Sequence, residues 1–486
     1  MYFTTTSKYW RWLLWGIVFG HNAQQTITRT ERRLKLQKFR YTSNPLEAFQ
    51  AISSHSDYCY ILESAEGPRK LAQYSFIGFA PSKILKIKDG NYSEQTLKDG
   101  KAAHHSSIHT NDPFGMLRNN LVDNYTSYRG FRFVGGLVGY VSYDAIRYIE
   151  SLPSKAPDNL KLPDLEFGLF DDGFVFDHLN DQAYYYWYDD NRSRDIEQLL
   201  AQSVKPKDLV TDEVKVNLTQ RDFTSMVKKA KKYVKTGDIF QVVLSKRFEF
   251  SFKGDLINFY NKLRKINPSP YMYFLKMKEK AIVGSSPEML GRVDGRSAET
   301  FPIAGTRPIS ANVKENRRLA SALLKDPKER AEHVMLVDLA RNDLGKVCQY
   351  GTVGVPDFMV IQKYSHVQHI VSRVTGQLRA DTDSVDTLKG IFPAGTVSGA
   401  PKKRAMEIID ELEPTRRGPY AGAVGYFSYN GNADFAITIR TLVANQNRAY
   451  VQAGAGIVAD SKPRREWFET EHKARALLRA LRIRSG

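Results

Sequence analysis

Two pairs of glutamates are the residues whose type and spacing most directly suggest chemistry. Glu329 and Glu332 are three residues apart in a segment with a helical pattern, so their carboxylates share one helix face. Glu466 and Glu469 repeat this spacing in a second predicted helix, which Pro463 opens. Two such helices could build a Mg²⁺ site, because Mg²⁺ takes few protein carboxylates and accepts a substrate that brings its own oxygens.

The spacing also has an ordinary structural interpretation. Asp326 can cap the first helix, and Glu329 then stands where the acid of a capping box stands. Glu469 and Lys473 have the i,i+4 spacing of a common helix ion pair. Spacing alone therefore leaves metal binding and helix stabilisation both open.

Two segments rich in small residues could bring backbone N–H groups onto an anion. Residues 452–460 read QAGAGIVAD and lead into the second glutamate helix, and residues 392–402 read FPAGTVSGAPK. The latter is not a P-loop, because its glycine and lysine spacings differ, and tight turns are the alternative for both. His369 lies in an alternating, strand-like run, and taken alone it is better explained by a structural role.

These residues need a scaffold of both strands and helices. From about Leu46 to Asp190 the pattern is strand-like and aromatic, with turns at Gly, Asn and Asp. After Thr219, helices and strands mix without βαβ alternation or a GxGxxG motif, which argues against a doubly wound nucleotide fold. We therefore expect three parts, which are a basic leader over 1–40 outside the fold, an N-terminal part over 41–215 and a catalytic part over 216–486.

Composition narrows the class of protein further. Of the 486 residues, 42% are hydrophobic and 26% charged, as in globular proteins, and the net charge is +18. Residues 1–40 contribute eight bases and one acid, or +7, and no zinc, RNP or helix-turn-helix pattern accompanies the charge, so no nucleic-acid partner is expected. The apolar run 13–19 is too short to span a bilayer. The two cysteines, Cys59 and Cys348, lack metal spacing, so we expect buried thiols, a cytoplasmic location and no membrane partner.

A series of ordered matches carries a resemblance to a known family. From about Thr219 to Arg479 the chain resembles the chorismate-binding domain shared by anthranilate, aminodeoxychorismate, isochorismate and salicylate synthases. The matching segments are GDIFQ at 237–241, GSSPE at 284–288, PIAGTR at 302–307, EHVMLVDL at 332–339, FPAGTVSGAPK at 392–402, RGPYAGAVG at 417–425 and the stretch 454–469. The preceding part is similar to that of anthranilate synthase component I, through LES at 62–64 and YSFIG at 74–78.

The resemblance implies an α+β fold with large antiparallel sheets flanked by helices, chorismate as substrate and Mg²⁺ as cofactor. It places Mg²⁺ on Glu329 and Glu466, with Glu332 and Glu469 close by, where the metal would assist departure of the C4 hydroxyl.

The same resemblance implies roles for residues around the reacting ring. Glu288 matches the general acid that protonates the leaving hydroxyl, while His369 and Thr396 match residues near the ring, and His369 is a candidate for assisting pyruvate elimination. The residues expected to contact the substrate are Gln241, Ala304, Gly305, Thr306, Tyr420, Arg440, Gly454, Ala455, Gly456 and Lys473.

Two positions discriminate within the family. Relatives that add water resemble one another in carrying a lysine base where this chain has Gln241, and a neutral amide cannot deprotonate water. Aminodeoxychorismate synthases usually carry a lysine nucleophile where this chain has Ala304. Anthranilate synthesis from chorismate and ammonia, the first committed step of tryptophan biosynthesis, is therefore expected. The alternatives are aminodeoxychorismate synthesis and a non-catalytic binding protein on this fold.

The resemblance also implies partners. Family members take ammonia from a glutamine amidotransferase subunit, anthranilate synthase component II, and neither cysteine here sits in a nucleophile-elbow context. A separate partner chain, in a heterotetramer, is therefore expected. The residues that resemble a feedback site for L-tryptophan are Glu63, Ser64, Pro270, Tyr271 and Met272; an ordinary strand pair at a domain junction is the alternative.

Overall fold

A computed structural model describes residues 31–39, 44–64, 73–98, 100–202, 204–364 and 367–481. The helices are α1 Pro45–His55, α2 Pro113–Val122, α3 Ser193–Leu200, α4 Gln220–Lys235, α5 Leu256–Ile266, α6 Val313–Lys325, α7 Pro327–Gly345, α8 Ser384–Ile391, α9 Lys402–Leu412 and α10 Pro463–Leu481. The first strands are β1 Lys35–Phe39, β2 Tyr58–Glu63, β3 Tyr74–Phe79, β4 Lys83–Lys88, β5 Asn91–Lys98, β6 Lys101–His109, β7 Gly136–Val141, β8 Leu165–Phe170, β9 Asp172–Asp177, β10 Gln182–Trp187, β11 Val210–Thr211 and β12 Lys215–Val216. The later strands are β13 Gln241–Lys253, β14 Tyr271–Met277, β15 Lys280–Ser286, β16 Met289–Asp294, β17 Ser297–Thr300, β18 Ile303–Pro308, β19 Gly354–Lys363, β20 Val367–Gln377, β21 Gly399–Ala400, β22 Ala423–Ser428, β23 Ala433–Ile437, β24 Thr441–Asn445 and β25 Arg448–Ile457.

Local signals in the sequence begin the helices that matter for the site. The Asp326 side chain accepts hydrogen bonds from the backbone N–H groups of Lys328 and Glu329, which caps α7 as its sequence predicts. Thr219 caps α4 in the same way, and Pro463 is the first residue of α10. Capping satisfies N–H groups that have no partner inside the helix, so it determines where each helix begins.

The strands form two large antiparallel sheets, which confirms the expected α+β fold. The first sheet has the order β1-β10-β9-β3-β2-β14-β15-β24-β25-β13-β11, with β12 and β21 also paired to β13. The second has the order β18-β20-β17-β16-β23-β22-β7-β8-β4-β5-β6, with β19 paired to β20. Helices α4, α5 and α10 pack on the first sheet, and α6, α7 and α8 pack on the second.

Strands from the two sides of residue 215 are interleaved in both sheets. In the first sheet β2 pairs with β14, and in the second β7 pairs with β22. The sheets face each other across an aromatic core, in which the ring centres of Phe76 and Tyr426 are 5.9 Å apart. Residues on both sides of that boundary therefore share one core.

Residues 31–39 correct the expectation that the whole leader lies outside the fold. Lys35–Phe39 forms β1, the edge strand of the first sheet, and pairs with β10. The Arg32 guanidinium lies 2.5 Å from both Asp171 and Asp189 and covers the Tyr188 ring. Four of the five β1 side chains are exposed, so the strand depends on backbone pairing and shows no apolar alternation in its sequence. The rest of the predicted leader, 1–30, lies outside the described residues.

Both cysteines are buried free thiols, as expected. Burial raises the pKa of Cys59 to about 12 and also raises the pKa of Cys348. Among the helices in the described ranges, none is long and apolar enough to cross a bilayer.

Candidate active site

Strands β13 and β25 form the floor of the site, and glycines allow side chains to approach it closely. Gly454 and Gly456 pair with Ser245 and Val243 of β13. A Cβ atom on Gly454 would lie 2.7 Å from the Tyr420 hydroxyl, and one on Gly456 would collide with the Gln241 amide. The Tyr420 and Gln241 side chains therefore lie directly over the backbone of β25 at these positions.

Ala455 is the exception among the predicted contact residues of this strand. Side chains alternate along a strand, so its methyl group points away from the face on which Gly454 and Gly456 lie. The residue is fully buried in the hydrophobic core. Only its backbone can contribute to a site on this face.

A cationic corner lies beside the two glycines. The Lys473 ammonium donates to the Gly454 carbonyl at 2.9 Å and pairs with Glu469 at 2.7 Å. The Arg440 guanidinium donates to the Lys473 carbonyl at 2.7 Å. Burial raises the pKa of Tyr420 to about 12, so its hydroxyl stays a hydrogen-bond donor. Two cations and a phenol suit the binding of carboxylates.

Glu288, just after β15, is a carboxyl group in an almost dry environment. It is 8% exposed, and burial raises its pKa to about 8, although Thr396 and the charge of Lys473 act in the other direction. Its backbone is held by Ser286 and by the N–H of Ile437. The group therefore keeps a proton at neutral pH and can act as an acid.

The first glutamate pair lies on α7, next to Gln241. The Gln241 amide donates to Glu332 at 3.3 Å, while Glu329 accepts from Arg307 at 3.1 Å. Burial raises the pKa of Glu332, and the charge of Glu329 raises it further. Lys473 is close enough for its charge to lower this pKa, so α7 and α10 face a common space.

The second pair lies on α10. Glu466 is 8% exposed, and burial raises its pKa, with a further increase from the charge of Glu469. The structure therefore brings carboxylates from both predicted helices to the surroundings of Lys473, whose charge acts on Glu288, Glu332 and Glu466.

These groups suit a hard divalent cation. Each carboxylate pair has a member with a raised pKa, which indicates more negative charge than its surroundings favour. The Gln241 carbonyl oxygen is buried and accepts no hydrogen bond from the part of the chain that the structure describes. In that same part, no three His, Cys, Asp or Glu side chains form a ready-made metal cage. A cation bound here would need ligands from water or substrate, as Mg²⁺ does.

His369 lies on β20 against a bulge in β18. The pairing register of β18 shifts between Ala304 and Arg307, and Gly305 has a φ of +64°. The His369 Nδ1 lies 2.7 Å from the Gly305 carbonyl oxygen and 3.1 Å from the Thr306 hydroxyl. Because a carbonyl can only accept, Nδ1 carries the proton and Nε2 is the basic nitrogen. Burial lowers the pKa of His369, so the ring is neutral at pH 7.

Two neighbours of the site were missed from the sequence. The Tyr364 ring lies 5.5 Å from His369 in an edge-to-face contact, and burial together with the Glu288 charge raises its pKa. Arg307 bridges Glu329 and Asp326. Arg307 ends the segment PIAGTR at 302–307 that resembles the family, so this match could have indicated Arg307 as a residue of the site. Tyr364 lies just beyond the end of β19, where no periodicity reveals its contact with His369.

The residues of the predicted tryptophan site come together in a separate pocket. Met272 of β14 pairs with Glu63 of β2, which brings the two segments side by side. Glu63 is buried, accepts from Tyr260 at 2.6 Å and pairs with Arg264 at 2.7 Å. The pocket is lined by Leu62, Glu63, Ser64, Tyr74, Phe76, Arg132, Pro270, Tyr271, Met272, Tyr273, Arg292, Val424, Gly425, Tyr426 and Asp434.

The Ser64 hydroxyl supplies an unused donor in this pocket. It is buried and makes no hydrogen bond within the described residues. Such a group indicates room for a polar ligand.

Comparison with known proteins agrees with this geometry. Residues 57–479 match the family described as chorismate binding enzyme. Anthranilate synthase component 1 of Methanothermobacter marburgensis is 47% identical over 96% of this chain and 98% of its own. That of Saccharolobus solfataricus is 43% identical over 91% of this chain and 98% of its own.

A solved structure has the same architecture. Anthranilate synthase component I from Streptococcus pneumoniae superposes with a TM-score of 0.71, at 35% identity, over 85% of this chain and 93% of that one. The fold and site thus define a chorismate binding enzyme. The chain belongs to this family, in the group of anthranilate synthase component 1, and the resemblance seen in its motifs is confirmed.

Proposed function

We propose that this chain converts chorismate and ammonia to anthranilate, pyruvate and water, as the large subunit of an anthranilate synthase. The observation that carries the proposal is the pairing of a protonated acid with a neutral amide at the position where relatives that add water carry a lysine base. Glu288 holds its proton through burial, and the residue beside the α7 carboxylates is the neutral amide of Gln241. A nucleophile that needs no deprotonation before attack, such as ammonia, suits this arrangement.

The two carboxylates of chorismate would be held by the cationic corner. Arg440 and Lys473 supply charge, Tyr420 supplies a hydroxyl, and the backbone of Gly454 and Gly456 lies beside them. These contacts would orient the ring, so that C4 faces Glu288 and C2 is open to ammonia.

Glu329 and Glu466 would hold Mg²⁺, with Glu332 and Glu469 beside it. When bound, Mg²⁺ supplies Lewis-acid stabilisation of the charge that develops as the C4 hydroxyl departs. The raised pKa of Glu332 and of Glu466 supports this assignment, because a cation relieves the repulsion within each pair.

Proton transfers would follow from the positions of Glu288 and His369. Ammonia adds at C2, and Glu288 donates its proton to the C4 hydroxyl, which leaves as water. The ammonium group formed at C2 then gives up a proton, which restores the Glu288 acid. His369 Nε2 would then accept the C2 proton while the ether bond breaks, and the enolpyruvyl group departs as pyruvate after protonation. The bond from Nδ1 to Gly305 supports this role, because it leaves Nε2 as the base.

A glutamine amidotransferase subunit, component II, would supply the ammonia. Ammonia is mostly protonated at neutral pH, and the ammonium ion is not a nucleophile. Cys59 and Cys348 are buried and have raised pKa values, so neither can serve as an amidotransferase nucleophile. The name component 1 borne by the relatives supports a two-chain enzyme.

L-Tryptophan would act as feedback inhibitor in the pocket of Glu63 and Ser64. The Glu63 carboxylate already accepts a hydrogen bond from Tyr260 and pairs with Arg264. The Ser64 hydroxyl makes no hydrogen bond within the described residues, so it can bond a ligand. We place the enzyme in the cytoplasm, with no nucleic-acid or membrane partner, because its substrates are small soluble anions.

The test is product analysis of the purified chain with chorismate, Mg²⁺ and ammonium salt at mildly alkaline pH. Anthranilate and pyruvate in equal amounts, lost in Glu466→Ala, are expected. Lys232→Met, which changes an exposed lysine of α4, serves as the matched control. Aminodeoxychorismate alone would assign the chain to the folate branch, and no turnover of chorismate would refute the catalytic proposal.

A further inference from the structure

Lys246 of β13 is a lysine buried among aromatic rings. Its side chain is fully buried. The Nζ atom lies 2.8 Å from the ring centre of Trp467, 5.3 Å from that of Phe248 and 6.0 Å from that of Phe223. Within the described residues, its acidic partner is Glu471 of α10, at 3.3 Å.

Burial of a charged ammonium group in this position costs free energy, because the group loses its contact with water. Burial lowers the pKa of Lys246 to about 8, although Glu471 acts in the other direction. Val242 and Leu244, the neighbours on the same face of β13, are apolar core residues. An apolar side chain would satisfy this layer at lower cost, so packing alone does not account for the lysine.

The position of its contacts on α10 suggests what the lysine does. Trp467 and Glu471 are one turn apart and lie on the helix face that Lys246 contacts. At about 100° per residue, Glu466, Glu469 and Lys473 lie on a different face, roughly 150° around the helix. Rotation of α10 about its axis would move both faces together.

We propose that Lys246 is a positioning residue that sets the rotation of α10 and thereby aims Glu466, Glu469 and Lys473 at the substrate and its metal ion. The Lys246 ammonium contacts the helix at two points, through a cation–π contact with the Trp467 ring and an ion pair with the Glu471 carboxylate. Both contacts depend on its charge. The inference rests on the proposed function, because it assigns the purpose of the alignment to the carboxylate site described above.

The test compares Lys246→Met, which keeps the length of the side chain but removes its charge, with Lys232→Met as a matched control. Lys246→Arg keeps a cation at this position, and Glu471→Gln removes the ion pair while it leaves the aromatic rings around Lys246 unchanged. Three quantities are measured for each variant, which are the melting temperature, the dissociation constant of Mg²⁺ alone by calorimetry, and kcat and KM for chorismate.

We expect Lys246→Met to lower kcat about tenfold and to weaken Mg²⁺ binding about tenfold, because a small displacement of catalytic groups has effects of this order or larger. Its melting temperature should equal or exceed that of the wild type. Glu471→Gln should also lower kcat and weaken Mg²⁺ binding, but by less than Lys246→Met. Lys246→Arg should retain more of the kcat and of the Mg²⁺ affinity than Lys246→Met does. Lys232→Met should leave both quantities unchanged.

Two results would overturn the inference. One is a Lys246→Met variant whose Mg²⁺ affinity and kcat stay within twofold of wild type. The other is a loss of activity in step with a fall in melting temperature, which would make Lys246 a purely structural residue. A wild-type chain without chorismate turnover would instead refute the proposed function, and the Mg²⁺ titration would still decide the role of Lys246.

Discussion

Replacement of Glu288 by Gln tests the central acid through stability and rate together. The carboxyl has a pKa of about 8 in the folded chain and an ordinary value of 4.5, so the folded state binds an extra proton between these limits. Stability therefore falls as pH rises through this window. At about 1.4 kcal/mol per pH unit, the penalty at pH 7 is on the order of 3 kcal/mol. Because Gln cannot ionise, the variant should be the more stable protein at pH 7 by up to this amount, and the difference should shrink towards pH 4.5.

Urea unfolding of both proteins between pH 5 and 8 measures the stability difference. Catalysis should respond in the opposite sense. We expect Glu288→Gln to lower kcat by about 10²- to 10⁴-fold, the usual contribution of a general acid. With rates expressed per concentration of free ammonia, wild-type kcat should be level below pH 7 and fall about tenfold per pH unit above 8.

A stability difference that does not change with pH would refute a buried, protonated Glu288. A wild-type rate that stays level through pH 9 would refute its role as the acid. Glu288→Asp, which keeps the carboxyl but shortens the side chain, separates these outcomes, because it should retain the pH dependence while losing rate.

Three further changes test other parts of the site. Gly454→Ala should raise KM for chorismate more than tenfold with little change in fold, because the new methyl would lie 2.7 Å from the Tyr420 hydroxyl; steady-state kinetics and the melting temperature measure this. Gln241→Lys should add a base and divert part of the product to isochorismate, which has the mass of chorismate and is resolved from it by chromatography. Glu63→Gln should weaken tryptophan inhibition about tenfold, since it disturbs the ion pair with Arg264, while uninhibited kcat remains.

For each of these three variants, one result would contradict the role assigned to the residue. Unchanged KM in Gly454→Ala would place the substrate away from β25. Production of anthranilate alone by Gln241→Lys would separate that residue from the choice of nucleophile. Inhibition of Glu63→Gln at the wild-type concentration of tryptophan would remove the pocket between β2 and β14 from regulation.

Much of the local structure and of the family assignment was predictable from the sequence. The start of α7 at Pro327, the i,i+3 glutamates and the small residues of β25 follow from capping, helix period and steric access, which are properties of short segments. Such features depend on neighbours within a few positions, so they can be predicted without knowledge of the fold.

Other features depended on contacts between distant segments. β1 has mostly exposed side chains, so only its pairing with β10 shows that residues 35–39 belong to the sheet. Ala455 shares a motif with Gly454 but faces the core, because side chains alternate along the strand. The contact between Tyr364 and His369 likewise has no periodic signal.

The order of residues specifies which groups are available, namely two carboxylate pairs, an acid, a histidine and glycines at close approaches. Their protonation states and orientations depend on the folded chain. The pKa of Glu288 rises because the fold excludes water from it, and Lys246 contacts α10 because the fold brings its side chain to Trp467 and Glu471. Desolvation and the juxtaposition of distant charges are properties of the assembled chain, and no pattern of neighbouring residues encodes them.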